Sequence, residues 1–478
     1  MTASPPSDIA AGHNERGNAL FAAGDHAAAI AQYRLALEQM PGSAELHFNL
    51  ANALEVTGET AAALTSFHRA IAISPDLGPA YTNLGNLLRR LGRPAEALEA
   101  YRRAMHLAPF SPAARYNIGT ALLDLNRAAE ALPHFIRAAD GAEPHIPAFA
   151  SVGEVLIRLG RKAEALGWFR IALEHRPDDA AARFGTAVCL LAAGNFREGW
   201  PAFEARLTMP RAAPLPVEGR RLTPEDLGSI AGRHVVVVAE QGFGDTIQFS
   251  RYVTLLRGRG ARVTLLVQAA LARLLAGLAD PVLALGQRPA AADFVCPLLS
   301  LPAIFAATEA AIPPPARLGR AGPRGLPGGA IRVGLAWSGN PAHLLDSQRS
   351  IPLAMLGPLL DLPGCAFHAI QTQIPPRDRP LPAALQWTGA TFSDFADTAD
   401  FIAGLDLVIT VDTSLAHLAG TLGVPVWVLL AANADYRWME GREDSPWYPS
   451  ARLWRQGAEG WAGVIERVRA ALAAGAWR

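Results

Sequence analysis

Charge is scarce in this chain and has no net sign. Only 18% of its 478 residues are charged, and Lys plus Arg (43) equals Asp plus Glu (43). A general nucleic-acid binder carries a basic excess, and an acidic disordered chain carries the reverse; both classes are excluded. Cysteine is scarcer still. Cys189, Cys296 and Cys365 lie far apart with no CxxC spacing, so neither a disulfide framework nor a zinc site is present. No metal-ligand cluster is visible elsewhere, and no cofactor is implied. Long apolar runs are missing too. The best stretch, Leu265 to Leu285, is broken by Gln268, Arg273 and Asp280, which predicts no membrane span. Met1 to Ile9 has neither a basic nor an apolar signal region. These absences predict a soluble, cytoplasmic protein. Apolar residues make up 50%, ample for the roughly three domains this length suggests.

What the first two hundred residues do have is a period of 34. Gly17, Ala51, Gly85, Gly119 and Gly153 keep that step, as do Ala29, Ala63, Ala97, Ala131 and Ala165. The aromatics Tyr33, Phe67, Tyr101, Phe135, Phe169 and Phe203 follow it, and so do Ala36, Ala70, Ala104, Ala138 and Ala172. Pro41, Pro75, Pro109 and Pro177 close repeats, with Pro144 one place late. Small residues let two antiparallel helices approach, the aromatic fills the gap between them, and proline stops the second helix. Period and pattern resemble the tetratricopeptide repeat. Residues 10–207 read as a solenoid of five clear units and a degenerate sixth, where Arg206 stands in place of alanine and the stack is capped. Asn49, Asn52, Asn83, Asn86 and Asn117 recur on first helices. In similar repeats such asparagines line a concave groove and bond an extended peptide; they equally serve as a solvated face or as bonds between repeats.

Residues 208–232 are rich in proline and read as a linker. Beyond it the pattern becomes strand–helix. Strands are expected at Val235–Ala239, Arg262–Gln268, Phe294–Leu298, Ile331–Trp337, Ala366–Gln371, Leu405–Val411 and Val424–Leu430. Helices are expected at Thr246–Arg259, Ala269–Leu278, Leu353–Leu360, Asp397–Ala403, Ser414–Leu422 and Trp461–Ala473. A second Pro- and Gly-rich break spans 312–330. The result is an α solenoid followed by two Rossmann-like α/β domains, at 233–312 and 331–478. Ligands in such folds bind at the carboxyl ends of strands.

Two loops sit at such ends. In Glu240-Gln241-Gly242-Phe243-Gly244-Asp245, the glycines permit a tight turn and a close approach of backbone. Asp245 either points into a cleft or caps the helix beginning at Thr246. In Asp412-Thr413-Ser414-Leu415-Ala416-His417-Leu418-Ala419-Gly420, free helix amides suit a diphosphate. His417 lies in the first turn, where the helix dipole favours neutral imidazole; it reads equally as a half-buried packing residue.

Strand–G-x-G-D–helix followed by D-T-S-x-x-H-L-A-G–helix resembles the ADP-heptose:lipopolysaccharide heptosyltransferases, glycosyltransferase family 9. Three further segments look like those of bacterial tetratricopeptide proteins that carry a heptosyltransferase-like domain. They are Gly334 to Pro341, Arg349-Ser350-Ile351-Pro352-Leu353 and Arg442 to Pro449. The resemblance implies a GT-B fold, with the acceptor on the first α/β domain and a nucleotide-sugar donor on the second. By position it makes Asp245 the general base, with Gln241, Gly242 and Gly244 as its loop. It places Asp412, Thr413, Ser414, Leu415 and His417 at the donor diphosphate, together with Arg349, Ser338 and Asn340. Transfer would invert the anomeric carbon without a metal.

The usual D-T-G is D-T-S here, and His343 to Gln348 is more apolar than a phosphate-facing loop. Heptosyltransferases normally lack repeats; repeats joined to a GT-B fold resemble, in plan only, protein O-GlcNAc transferases. Trp337, Trp427, Trp438 and Trp447 stack on a ligand or fill the core. The expected function is transfer of a sugar to an acceptor recruited as a protein or peptide by the repeats. The rival is a non-catalytic scaffold. A dehydrogenase is disfavoured because the third fingerprint glycine and a ribose-binding acid are not evident.

Overall fold

The computed structural model describes residues 6–141, 143–210, 212, 214–318, 329–342 and 346–476. His343, Leu344 and Leu345 of the apolar stretch, and most of the Gly- and Pro-rich break, lie outside them. The chain divides into two compact units at Pro177/Asp178.

The first unit is five antiparallel helix pairs, from Pro6–Ala22 with His26–Gln39 to Pro147–Arg158 with Lys162–His175. The 34-residue pattern explains the packing directly. A Cβ on Gly17, Gly85, Gly119 or Gly153 would come within 2.5–2.8 Å of the ring of Tyr33, Tyr101, Phe135 or Phe169. In these four pairs the aromatic lies against its partner helix where glycine leaves room, and in the second pair Ala51 holds the same place beside the buried Phe67. The alanines Ala29, Ala63, Ala97, Ala131 and Ala165 are all fully buried. A further register appears only in the backbone. Gly24, Gly58, Gly92, Asn126 and Gly160 take positive φ where the first helix of each pair ends, and Gly194 continues the step into the second unit. Asn126 substitutes because asparagine tolerates the left-handed conformation better than other non-glycine residues.

The second unit opens with the sixth pair, Ala180–Ala192 and Phe196–Phe203, and continues into two parallel sheets. The first sheet comprises β1 (Arg220–Arg221), β2 (His234–Val238), β3 (Arg262–Val267), β4 (Val282–Ala284) and β5 (Phe294–Pro297), ordered β1-β5-β2-β3-β4. The second comprises β6 (Ile331–Ala336), β7 (Cys365–Ala369), β8 (Leu385–Trp387), β9 (Leu407–Val411), β10 (Val426–Leu430) and β11 (Ala451–Arg455), ordered β11-β10-β9-β6-β7-β8. The interior strands β2 and β9 are rich in β-branched residues and buried on both faces, as parallel sheets require.

The 208–232 stretch is less of a linker than its prolines suggest. Arg220–Arg221 adds an edge strand beside β5, and Leu215 and Val217 cover Val236, Val238, Leu266 and Val295 on one face of the first sheet. The other face of that sheet shares a core with the sixth helix pair. Phe196, Trp200 and Phe203 pack among Phe249, Tyr436 and Trp447. Trp200 is 1% exposed, so its truncation to alanine is expected to cost about 3–5 kcal/mol. Arg206, the residue out of repeat character, has a different purpose. It is buried, ion-pairs with Glu204 and Glu240 at 2.7 and 2.8 Å, and donates to Ser300 Oγ at 2.9 Å. The sixth pair is thereby tied to the residue that opens the first glycine loop.

Candidate functional site

Each sheet has a point where the chain switches direction, and each places a loop from the sequence reading there. In the second sheet β6 leads outward to β7 and β8, whereas β9 leads the other way to β10 and β11. The loops leaving β6 and β9 therefore lie side by side at the carboxyl ends of the strands, the place where such folds bind ligands. The β6 loop carries Ser338, Asn340 and Arg349; the β9 loop carries Asp412 and Thr413. In the first sheet the loop after β2, the central strand, carries Glu240 to Gly244. The loop after its neighbour β5 supplies Leu299, whose N–H donates to Glu240 at 3.3 Å.

The two loops meet. A Cβ on Gly244 would lie 2.7 Å from His417 Cδ2 and 3.5 Å from Ser414 Cα. Gly244 is thus the residue that allows close approach. The tight turn is made by Gln241, whose φ is 59°, and not by either glycine, correcting the sequence expectation. Gln268 Nε2 donates to the Gln241 carbonyl at 3.1 Å and steadies this turn.

The helix begins at Phe243, three residues before Thr246, and breaks after Phe249. Asp245 consequently sits in the first turn and is not the cap. Its Oδ2 accepts from the Gly242 N–H at 2.9 Å, while its Oδ1 accepts from the Arg437 guanidinium. Phe243 remains 40% exposed beside Phe395, with ring centroids 5.0 Å apart.

The β9 loop follows the expectation closely. Its helix is Ser414–Leu422, capped by Thr413, whose Oγ1 accepts from the Leu415 N–H at 3.3 Å. Arg349 donates through Nη1 to the Asp412 carbonyl at 3.1 Å and through Nε to Asp346 at 3.1 Å. Ser338 is held by Gln371, whose Nε2 donates to its Oγ at 2.9 Å. The Asn340 side chain turns back on its own loop and accepts the Ala342 N–H at 3.0 Å.

His417 is buried. It stacks on Trp438 with centroids 5.2 Å apart and planes 19° apart, and its Nδ1 shares a 3.0 Å hydrogen bond with Tyr448 Oη. Burial pushes its pKa down to about 3, with the Arg437 charge adding to the effect. The imidazole is neutral as expected, but desolvation, and not the helix dipole, is the main cause. Tyr448 also explains Gly420, because a Cβ there would touch the Tyr448 ring. Burial likewise raises the Asp412 carboxyl, to about 6, and the neighbouring Asp435 charge contributes. Asp435 is also desolvated, but Arg437 outweighs that and holds it below its ordinary value.

Arg437 and Asp435 are the residues that the sequence reading missed. Arg437 joins Asp245 to Asp435, whose Oδ1 it meets at 2.7 Å. Both follow β10, the strand next to β9, so the same carboxyl-end rule would have found them. Arg251 is a second omission. It is buried against the Trp447 and Tyr448 rings and donates to the Trp447 carbonyl at 2.8 Å. Trp337, Trp427, Trp438 and Trp447 are all core residues, at 1–3% exposure.

In the repeats, several asparagines bond between neighbouring units. Asn83 Nδ2 donates to Asn52 Oδ1 at 2.7 Å, and Asn49 Nδ2 to Asn14 Oδ1 at 3.0 Å. Asn86 accepts from Tyr101 Oη at 2.7 Å within its own pair, and Asn117 is half-buried on the fourth first helix.

A profile of the tetratricopeptide repeat matches residues 14–77, 82–145 and 153–214. The N-terminal unit is a tetratricopeptide-repeat solenoid. The third match runs through the sixth helix pair. Among curated proteins, Protein FlbA of Caulobacter vibrioides is 27% identical over 344 residues, covering 62% of this chain and 56% of its own. The chain thus spans little more than half of that relative. Among solved structures, YrrB, described as a TPR protein with an unusual peptide-binding site, is 24% identical with a TM-score of 0.33. The match covers 37% of this chain and 91% of that one. PilF of Pseudomonas aeruginosa is 16% identical with a TM-score of 0.39, covering 44% and 96%. No described helix is long and apolar enough to cross a membrane.

Proposed function

We propose that the second unit is a sugar-nucleotide-dependent glycosyltransferase with a GT-B arrangement, and that the repeats recruit its acceptor as a protein or peptide. The observation that carries this reading is the convergence of two distant strand–loop–helix segments. Gly244 packs on His417, and Asp245 pairs with Arg437. In this reading the Ser414 helix amides, Arg349 and Arg437 hold a nucleoside diphosphate, because fixed donors at a leaving group lower the barrier for its departure. Asp245 takes the proton of the acceptor hydroxyl. That oxygen forms the new bond to the anomeric carbon as the carbon–diphosphate bond breaks, and the leaving diphosphate keeps the electron pair.

A second reading, a scaffold that no longer turns over, has one observation in its favour. Both Asp245 oxygens are already engaged, by Arg437 and by the Gly242 N–H. One experiment separates the two. Release of nucleoside diphosphate from a panel of sugar nucleotides is followed with wild type and Asp245→Asn. The transferase reading expects release by the wild type, at least about 100-fold slower in the variant, with donor binding retained. Donor binding without release by either protein selects the scaffold, and unchanged release by the variant removes Asp245 from the base role.

A further inference from the structure

We propose that Arg437 is a latch on Asp245 that an incoming diphosphate releases, so that the base is free only when donor is bound. The inference rests on the donor-site reading above and deepens it. Arg437 is 9% exposed and divides its terminal nitrogens between two carboxylates, Nη1 to Asp435 and Nη2 to Asp245. Its Nε has no hydrogen-bond partner among the described residues. One guanidinium thus serves two carboxylates, and the Asp412 carboxyl feels the Asp435 charge as well. Arg349 and Arg437 both act on the Asp412 carboxyl, but Arg437 alone of the two is shared between Asp245 and Asp435. A diphosphate held there by the Ser414 helix amides and Arg349 that also draws on the Arg437 terminal nitrogens competes with these carboxylates for them.

The two carboxylates are not held equally. Asp435 is fixed to Arg437 twice over, by Nη1 at 2.7 Å and by the Arg437 backbone N–H at 3.0 Å, and it lies two residues away on the same turn. Asp245 comes from the other sheet and holds Arg437 through Nη2 alone. Exchange therefore takes place at Asp245. Once Nη2 turns to a phosphate oxygen, Asp245 is not set adrift, because Oδ2 still accepts from the Gly242 N–H. Oδ1 is then open to receive a proton. The latch imposes an order, donor before acceptor.

The test uses the full chain and inorganic pyrophosphate, titrated by calorimetry at fixed salt and pH. Asp245→Asn is nearly isosteric and loosens the competitor's grip, so pyrophosphate is expected to bind roughly tenfold tighter than to wild type. Arg437→Gln is expected to bind at least about tenfold weaker, and Arg437→Lys, which keeps the charge, falls between. Binding by Asp245→Asn alone, with none detected in wild type, also supports the latch. Unchanged or weaker binding by Asp245→Asn, in a protein that binds pyrophosphate and loses it on Arg437→Gln, overturns the latch and leaves the donor site standing. Failure of wild type and Asp245→Asn alike to bind pyrophosphate or any sugar nucleotide overturns the donor-site reading and the latch with it.

Discussion

Substituting Gly244 by alanine tests whether the two loops truly meet. The added methyl would lie 2.7 Å from His417 Cδ2 and 3.4 Å from Nε2. The ring cannot swing aside, because Trp438 stacks on its face and Tyr448 holds Nδ1. Nor can the backbone retreat easily, since Ser414 Cα is 3.5 Å away. Forcing one methyl into such a contact costs about 1–3 kcal/mol. For a unit spanning residues 178–478, that lowers Tm by roughly 2–6 °C. The assay is calorimetric unfolding of the full chain, with His417→Ala as the second arm of a double-mutant cycle. Removing the ring opens the space, so Gly244→Ala on that background should cost under about 0.5 kcal/mol. Full additivity, or no loss from Gly244→Ala alone, would refute the contact on which the site is built.

Other outcomes follow from the same structure. Arg206→Ala leaves the half-buried Glu240 without its cation and Glu204 with Arg221 alone, and should destabilise the second unit by about 3 kcal/mol in urea unfolding. In the repeats, Gly92→Ala places a side chain at φ 71° and should cost about 1–2 kcal/mol, whereas Asn126→Gly at φ 57° should be neutral or stabilising. Acid sensitivity should split by residue. His417, depressed to about 3, binds protons in the unfolded chain first, so it removes stability as pH falls from about 6.5 towards 3. Asp412, raised to about 6, binds its proton in the folded state first, so it adds stability as pH falls from about 6 towards 4. His417→Asn should therefore flatten the fall of Tm with acid, and Asp412→Asn should steepen it; equal slopes in both variants would contradict these assignments.

The seven strands expected from the strand–helix alternation are the interior of the two sheets. The four that went unread, β1, β4, β8 and β11, are their four edges. Three of them span only two or three residues, and β11 reads Ala-Arg-Leu-Trp-Arg, broken by two arginines. A strand buried on both faces needs continuous apolar side chains, and an edge strand does not. The repeats were legible for a related reason, since one packing contact recurs every 34 residues and leaves a small residue, glycine in four of the five pairs, in step with an aromatic. The candidate site was half legible. Loops after central strands could be picked out by glycine and by helix-start residues. Arg437 follows β10 and was within reach of the carboxyl-end rule, but no local spacing announces its pairing with Asp245 or that of Arg206 with Glu240, because those partners lie in other elements. The linker misled because proline marks irregular backbone, and irregular backbone can still cover a sheet, as Leu215 and Val217 do.

On the proposed reading, the loops at the carboxyl ends of β6 and β9 bind a nucleoside diphosphate. Calorimetric titration of the full chain with a panel of nucleoside diphosphates and their sugar conjugates tests it most directly, alongside Arg349→Gln, which removes the guanidinium held on the Asp412 carbonyl. The wild type is expected to bind selectively, and the variant at least about tenfold more weakly. Binding to neither protein, or equal binding to both, would contradict it.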